Sequence, residues 1–381
     1  MLIGIDTHNL EGKRTGVGRY LFNLLKIWAA LPRESNFKFI LYFKSEIPQD
    51  VPKSALFETK LLNVMSTAQF THWDLSRAAQ KDKLDILFCP AYVAPLFYRG
   101  KMALTLHDIS YEARPKEFNW LSLADRILLK WVSKKSAKKA AVIFTPSEFS
   151  RQEVIKYYKT EPRKIVTTYL AVEEEIKNFN REKAGKEIEA VRVKFGLKDN
   201  FIFFVGSIFS RRHLTEVIEA FSSLVKEKKD WQLLLGGRDY TPGQSVLKLA
   251  VKKNKEFNRE AILQVDFIND NDLKFLYSAC VFFVWLSDYE GFGLPVLEAM
   301  SVGVPVITSQ SSSLVEVAGR AALLLEKNSS VEEIYWAMKR LVEDKQLWSD
   351  LAKAGKGQAE KFSWQACAKK TLEALLSVKS K

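Results

Sequence analysis

FIFFVGSIFSRRHLTEVIEAF, residues 201–221, begins with five apolar residues, breaks at Gly206, places Arg211 and Arg212 side by side, and runs from Leu214 into a helical periodicity. A short apolar run closed by a glycine and followed by a longer amphipathic stretch predicts a strand, a loop and a helix. The unit then repeats: WQLLLGG (231–237), SVLKLAVKKN (245–254), AILQVDF (261–267), CVFFVWLS (280–287), a helix starting near Pro295, VPVITS (304–309) and AALLLE (321–326). Upstream the same alternation runs through LIGIDT (2–7), VGRYLFNLLKIWAAL (17–31), FKFILYF (37–43), LDILFC (84–89), MALTLH (102–107) and AAVIFTPS (140–147). Two rounds of strand–helix alternation predict two successive α/β domains, each a mostly parallel sheet covered by helices on both faces.

The chain has 381 residues, beyond the size at which one core usually keeps growing, which agrees with two domains. The expected division is a first domain over 1–175, a charged connector over 176–195, a second domain over 196–360 and a closing helix over 361–381. Between 44 and 83 the pattern is weak, although THWDLSRAAQKD is compatible with helix. Trp336, Trp348 and Trp364 read as packing anchors of the terminal helices.

A 47% hydrophobic and 27% charged composition is that of an ordinary folded protein and excludes disorder as the main state. The formal charge of +13 points to nucleic acid, an anionic membrane surface or a phosphorylated small molecule without choosing among them. Much of it gathers in ADRILLKWVSKKSAKKAAVIF, where Lys130, Lys134, Lys135, Lys138 and Lys139 interrupt an apolar pattern; this is either a solvated helix face or a contact for lipid headgroups. No zinc finger or RNA-reading motif accompanies the charge, so nucleic acid is not expected as a partner. Cys89, Cys280 and Cys367 stand alone in apolar surroundings and read as small buried hydrophobes in a reducing compartment. His8, His72, His107 and His213 form no metal-ligand spacing, so no metal is expected. With no leader and no long apolar run, a cytoplasmic protein is expected, one that can still sit peripherally on a membrane.

Four loops can carry chemistry. GKRTGVGRYLFNLL places Gly12, Gly16 and Gly18, with Val17, where a helix begins, so its amino end can meet an anion; it matches neither dinucleotide nor phosphate-loop spacing. Gly206 and the pair Arg211–Arg212 follow a strand, where guanidinium groups can stabilise a departing diphosphate or serve only solubility. His107 and Asp108 follow another strand and are either strand-end structure or ligand contacts. SDYEGFGLPVLEAM (287–300) places Glu290 in a loop and Glu298 in the helix begun by Pro295, with Gly291–Leu294 between them. That spacing leaves the two carboxylates off a common helical face, so they read as separate contacts along one ligand.

SDYEGFGLPVLEAMSVGVPVI resembles the Glu-x7-Glu signature of the retaining, GT-B-fold glycosyltransferases of family 4. GKRTGVGRY, LTLHDIS, FTPSEFSRQEV, VGSIFSRRHLTEVIEAF and SSSLVEVAGRAALLL resemble its other segments in order, over nearly the whole chain. The resemblance implies two facing Rossmann-like domains with an interdomain active-site cleft, the first serving the acceptor and the second the nucleotide-sugar donor. It implies that Arg211 and Arg212 hold the donor diphosphate, that Gly16, Val17 and Gly206 approach phosphates or acceptor, and that His107 and Glu290 meet the transferred sugar. Phe292, Gly293 and Leu294 would shape the sugar pocket, and Glu298 would bind the ribose. Arg212 stands where the family commonly has lysine, His213 where it has asparagine, and Arg320 where an acidic residue is frequent.

The function so implied is transfer of a sugar, with GDP-mannose as the donor suggested by bacterial mannosyltransferase-like members, to a glycan or lipid-linked saccharide of the cell envelope. It needs no cofactor, the nucleotide sugar being a substrate. The alternatives are UDP-glucose, UDP-N-acetylglucosamine or a deoxysugar nucleotide as donor, or a protein that binds a nucleotide sugar without turnover.

Overall fold

In the computed structural model, residues 1–115, 123–179, 181 and 183–378 are described, and the chain divides into two compact units, Met1–Leu170 with Ser363–Lys381 and Ala171–Phe362. Asn180 and Glu182 of the expected connector, and the last three residues of the expected closing helix, lie outside the described residues.

Among the described residues, the first unit carries seven strands: β1 (Leu2–Asp6), β2 (Lys38–Phe43), β3 (Phe57–Leu61), β4 (Ile86–Cys89), β5 (Met102–Thr105), β6 (Val142–Thr145) and β7 (Ile165–Thr167), in the order β3-β2-β1-β4-β5-β6-β7. Every pairing is parallel. β4, β5 and β6 are buried along their whole length, which is why they read as apolar runs, broken only by the terminal Thr105 and Thr145 of β5 and β6. β3 and β7 are the two strands the sequence pattern does not disclose. β3, FETKL, is an edge strand with all of its side chains half-buried or exposed, and β7 has only three residues.

The helix Gly16–Ala29 buries Tyr20, Leu21, Leu24, Leu25 and Trp28, a helical spacing in which each such side chain contributes roughly 1.5–3 kcal/mol on removal from water. Trp28 stacks on Phe39 (5.2 Å, 7°) and donates from Nε1 to the carbonyl of Ala368 (3.1 Å). Ala368 belongs to the terminal helix Trp364–Ser377, which is capped by Ser363 and buries Cys367, Ala368, Thr371, Leu372 and Leu375 within this same first unit.

The second unit carries, among the described residues, β8 (Phe201–Val205), β9 (Gln232–Gly236), β10 (Ile262–Val265), β11 (Phe282–Trp285), β12 (Val306–Ser309) and β13 (Leu323–Leu325), all parallel, in the order β10-β9-β8-β11-β12-β13. The charged stretch before it is partly folded. Glu174–Lys177 and Gly185–Phe195 are helical, and the latter ends on Gly196 (φ 65°) and packs on the helix Asp270–Ala279.

Both sheets are doubly wound. The strand order reverses between β1 and β4 and between β8 and β11, and ligands of such sheets bind beyond the carboxyl ends of the strands at that reversal. The tryptophan expectation holds for Trp364, which is buried, and for Trp348, whose Nε1 donates to Val281 (2.8 Å). Trp336 instead lies on the surface under Lys339, since its position falls on the outer face of the helix Val331–Glu343. All three cysteines are buried and unpaired. Among the described residues, no helix is long and apolar enough to cross a membrane.

Candidate active site

The second unit assembles its site where β8 and β11 end. Gly206 (φ 146°) donates to the carbonyl of Gly236 (2.7 Å), and Gly237 (φ 141°) lies so close that a Cβ on it would fall 2.1 Å from the Gly206 oxygen. Backbone packed on backbone at a positive φ admits only glycine.

A single turn, Ser210–Arg212, follows, and His213 at φ 51° redirects the chain into the helix Leu214–Glu227. Arg212 is 6% exposed. Its guanidinium carbon lies 3.7 Å from the centre of the Trp285 ring, and Nη2 is 3.1 Å from Oε1 of Glu290. Nε and Nη1 are buried donors with no hydrogen-bond partner among the described residues. Burial lowers the Arg212 pKa to about 10, with Glu290 working in the opposite direction, so the group is cationic at neutral pH. Arg211 lies 4.5 Å over Phe209, and its carbonyl accepts from the Asp288 amide (3.0 Å).

Glu290 is fixed from several sides. Ser287 donates to its Oε1 (2.6 Å), its own amide donates to Ser312 (3.1 Å), and Ser313 donates to the carbonyls of Glu290 (2.9 Å) and Phe292 (2.8 Å). Ser311 donates to the carbonyl of Ser287. Ser311, Ser312 and Ser313 therefore brace the acidic loop, a role that three consecutive serines after a buried strand signal only once β12 is known to lie beside β11.

Gly293 (φ 101°) turns the chain into the helix Leu294–Ser301, and Leu314 would meet any Cβ there at 2.6 Å. With Pro295 in the first turn, the amides leading into this helix have no intrahelical acceptor and present partial positive charge. Phe292 is buried edge-on against Phe362 (5.6 Å). Glu298 lies inside the helix, 3% exposed, and accepts from the Tyr277 hydroxyl (2.8 Å). The two glutamates thus have different surroundings, one ion-paired in the loop and one in the helix, buried beside Tyr277.

His213 sits between Glu216 (3.7 Å) and Asp288 (3.1 Å), and these carboxylates raise its pKa to about 9 against the opposing effect of burial. The residue where asparagine is common is therefore an imidazolium at neutral pH.

In the first unit Gly16 is exposed at the first residue of its helix, Val17 is half-buried, and Gly18 is the packed glycine, where a Cβ would fall 2.4 Å from the carbonyl oxygen of Asn9. His107 is tied to that helix through Tyr20, whose ring meets it edge-on at 4.9 Å, and Tyr92 lies 6.0 Å away. Its Nε2 is 3.0 Å from the carbonyl of Pro90, and burial lowers its pKa. A neutral ring that donates from Nε2 leaves Nδ1 as an acceptor, so His107 can receive a hydrogen bond from a hydroxyl. Asp108 accepts from the Ser110 amide (2.8 Å) and orients the turn. Among the described residues, no group of three or more His, Cys, Asp or Glu side chains is placed to hold a metal ion.

Two family profiles match the chain, Glycosyltransferase Family 4 over residues 15–176 and Glycosyl transferases group 1 over residues 186–358. The O-antigen chain mannosyltransferase B of Escherichia coli is 30% identical over 400 aligned residues, covering 98% of this chain and 99% of that one. The chain belongs to these glycosyltransferases.

Among further relatives of this glycosyltransferase, the O-antigen chain mannosyltransferase RfbU of Salmonella typhimurium is 26% identical over 262 residues, or 67% of this chain and 64% of that one. Solved structures share its fold. WaaG, a glycosyltransferase involved in lipopolysaccharide biosynthesis, superposes with a TM-score of 0.74 at 17% identity, over 99% of this chain and 100% of that one. Anabaena HepE, in complex with UDP and glucose, gives 0.73 at 15% identity over 99% of both chains. The architecture is GT-B, two Rossmann-like α/β units, and the enzyme is a retaining, nucleotide-sugar-dependent glycosyltransferase.

Proposed function

We propose that this glycosyltransferase moves a hexosyl group from a nucleoside-diphosphate sugar to a glycan or lipid-linked saccharide in the synthesis of a cell-envelope polysaccharide. The observation that carries this reading is Arg212, buried, cationic and ion-paired with Glu290, with Nε and Nη1 lacking partners among the described residues at the carboxyl ends of β8 and β11. Charge develops on the diphosphate as its bond to the sugar breaks, and a preorganised guanidinium in a site shielded from water stabilises that charge strongly. Arg211, Gly206 and the amides at Phe292, Gly293 and Leu294 complete the anion contacts, Glu298 is the ribose partner, and Glu290 and His107 meet the transferred sugar. The acceptor hydroxyl attacks on the face the diphosphate leaves, and a leaving phosphate oxygen takes its proton, so the configuration is retained. Arg212 and Ser287 both hold Oε1 of Glu290, which suits this carboxylate to a fixed contact with the sugar in that route.

These contacts read a diphosphate and not a base. GDP-mannose is supported by the O-antigen mannosyltransferases among the relatives. A UDP-hexose is supported by the HepE complexes with UDP and UDP-glucose. Incubation with GDP-mannose, UDP-glucose and UDP-N-acetylglucosamine over a panel of lipid-linked and oligosaccharide acceptors, read by mass spectrometry, separates the two through the donor consumed. Binding of a donor without transfer to any acceptor would leave a nucleotide-sugar-binding protein in place of an enzyme.

The reading extends to a peripheral position on the inner face of the cytoplasmic membrane. The helix Leu123–Lys139 exposes Ile127, Leu128 and Trp131, with Lys135 4.1 Å over the indole and Lys138 exposed beside it. Not all of its lysines serve this face. Lys130 pairs with Glu112 (3.2 Å), and Lys139 donates to the carbonyls of Leu96 and Tyr98.

A further inference from the structure

We infer that Trp285 is a positioning residue for the donor diphosphate, a platform that holds the Arg212 guanidinium flat so that its free edge meets the phosphates. The inference rests on the reading of the second unit as the donor site. A guanidinium has a planar face and an edge of donors, and the two can be used at once; an ammonium is a point charge with rotating donors and cannot be held in this way. In Arg212 the face is taken by the indole at 3.7 Å and one corner of the edge, Nη2, by Glu290. Nε and Nη1 remain, buried and without partners among the described residues. Buried donors left unsatisfied destabilise the fold, and an anionic ligand at this edge would complete them.

The platform is itself rigid. Trp285 is the last residue of β11, is buried, and stacks on Phe204 at 5.1 Å and 18°. Its six-membered ring also lies against Gly206, where a Cβ would come within 2.7 Å of it. The indole therefore joins three parts of the site: the glycine turn after β8, the arginine, and the strand that leads to Glu290. The arginine in a position where lysine is common is then half of a matched pair, and the tryptophan beneath it is the other half.

Isothermal titration calorimetry on the full chain with GDP, UDP and inorganic pyrophosphate tests this, using Trp285→Leu, Trp285→Phe, Arg212→Lys and the double variant Arg212→Lys/Trp285→Leu, with thermal unfolding as the check on folding. Trp285→Leu is expected to weaken all three probes by roughly tenfold or more, as for a desolvated cation–π contact. Trp285→Phe, which keeps a smaller ring in the core, is expected to weaken them by less. In the Arg212→Lys background the Trp285→Leu change is expected to have no further effect. Equal losses from Trp285→Leu in both backgrounds, or unchanged affinity in a folded Trp285→Phe and Trp285→Leu, would overturn the inference while leaving the donor site standing. Failure of the wild-type chain to bind any of the three probes would overturn the donor-site reading and the inference together.

Discussion

At the scale of single residues, the buried arginine makes the acidic loop a matter of charge balance. Glu290→Ala leaves Arg212 as a desolvated cation without its counter-ion and removes the proposed contact to the reacting sugar, so turnover is expected to fall by about 10²–10³ with a smaller change in donor affinity. Glu298→Gln keeps the Tyr277 contact filled and is expected to weaken donor affinity more than turnover. Steady-state kinetics beside donor binding checks both, and two folded variants with wild-type binding and rate would remove these carboxylates from the site. His213 supplies a pH dependence. Its folded pKa of about 9 lies above the ordinary value near 6.5, so below 6.5 the imidazolium is present in folded and unfolded chains and its full stabilisation is retained. As pH rises from 6.5 the unfolded chain loses that proton while the folded chain keeps it, and the stabilisation has gone above about 9. The gap in Tm between the wild type and His213→Asn is expected to be widest near pH 6 and to close by pH 10; a gap independent of pH would show that the two carboxylates do not act through charge.

At the scale of elements, the site depends on where strands end. Gly237 closes β9 against the β8 turn, and Gly237→Ala would place a methyl carbon on the Gly206 carbonyl at a φ that alanine avoids. The expected result is loss of several kcal/mol of stability, with donor binding weakened in whatever fraction folds, measured by chemical denaturation and calorimetry. A variant with wild-type stability would show that the β8–β9 ends can separate freely. The same dependence explains what could be read from the chain beforehand. Buried central strands such as ILFC, and VIFT up to its terminal threonine, are apolar runs and announce themselves. β3 and β7 do not, because an edge strand needs only one buried neighbour and a three-residue strand has no period to detect. The turn at Gly206, the arginine pair before a helix, the loop position of Glu290 and the helix start after Gly293 were legible because each is a local feature of a turn or a helix start. Trp285 and the serines at 311–313 were not, because each acts on residues that only strand pairing brings beside it.

At the scale of the whole molecule, the basic helix of the first unit carries the remaining prediction. Co-sedimentation with vesicles of anionic and of zwitterionic lipid is expected to show binding to the former alone, weakened at high salt and by Lys135→Glu/Lys138→Glu, and further by Trp131→Ala. Wild-type binding by the charge-reversed variant would place any membrane contact elsewhere. Strand and helix periods, glycines before helices and the ordered acidic motif belong to short windows of sequence, and windows of that length determined the class of fold, the doubling of the α/β pattern and the family of reaction. Three assignments required the tertiary structure. The last helix completes the first unit through Trp28 and Ala368, across an interval of 340 residues that no local pattern can span. Lys130 and Lys139 are drawn into contacts with Glu112 and with the Leu96 and Tyr98 carbonyls, leaving fewer cations for a surface than composition suggested. Arg212 became a buried, oriented group when β11 brought Trp285 beneath it, because burial and stacking are properties of packed neighbours and not of the residue that bears the charge.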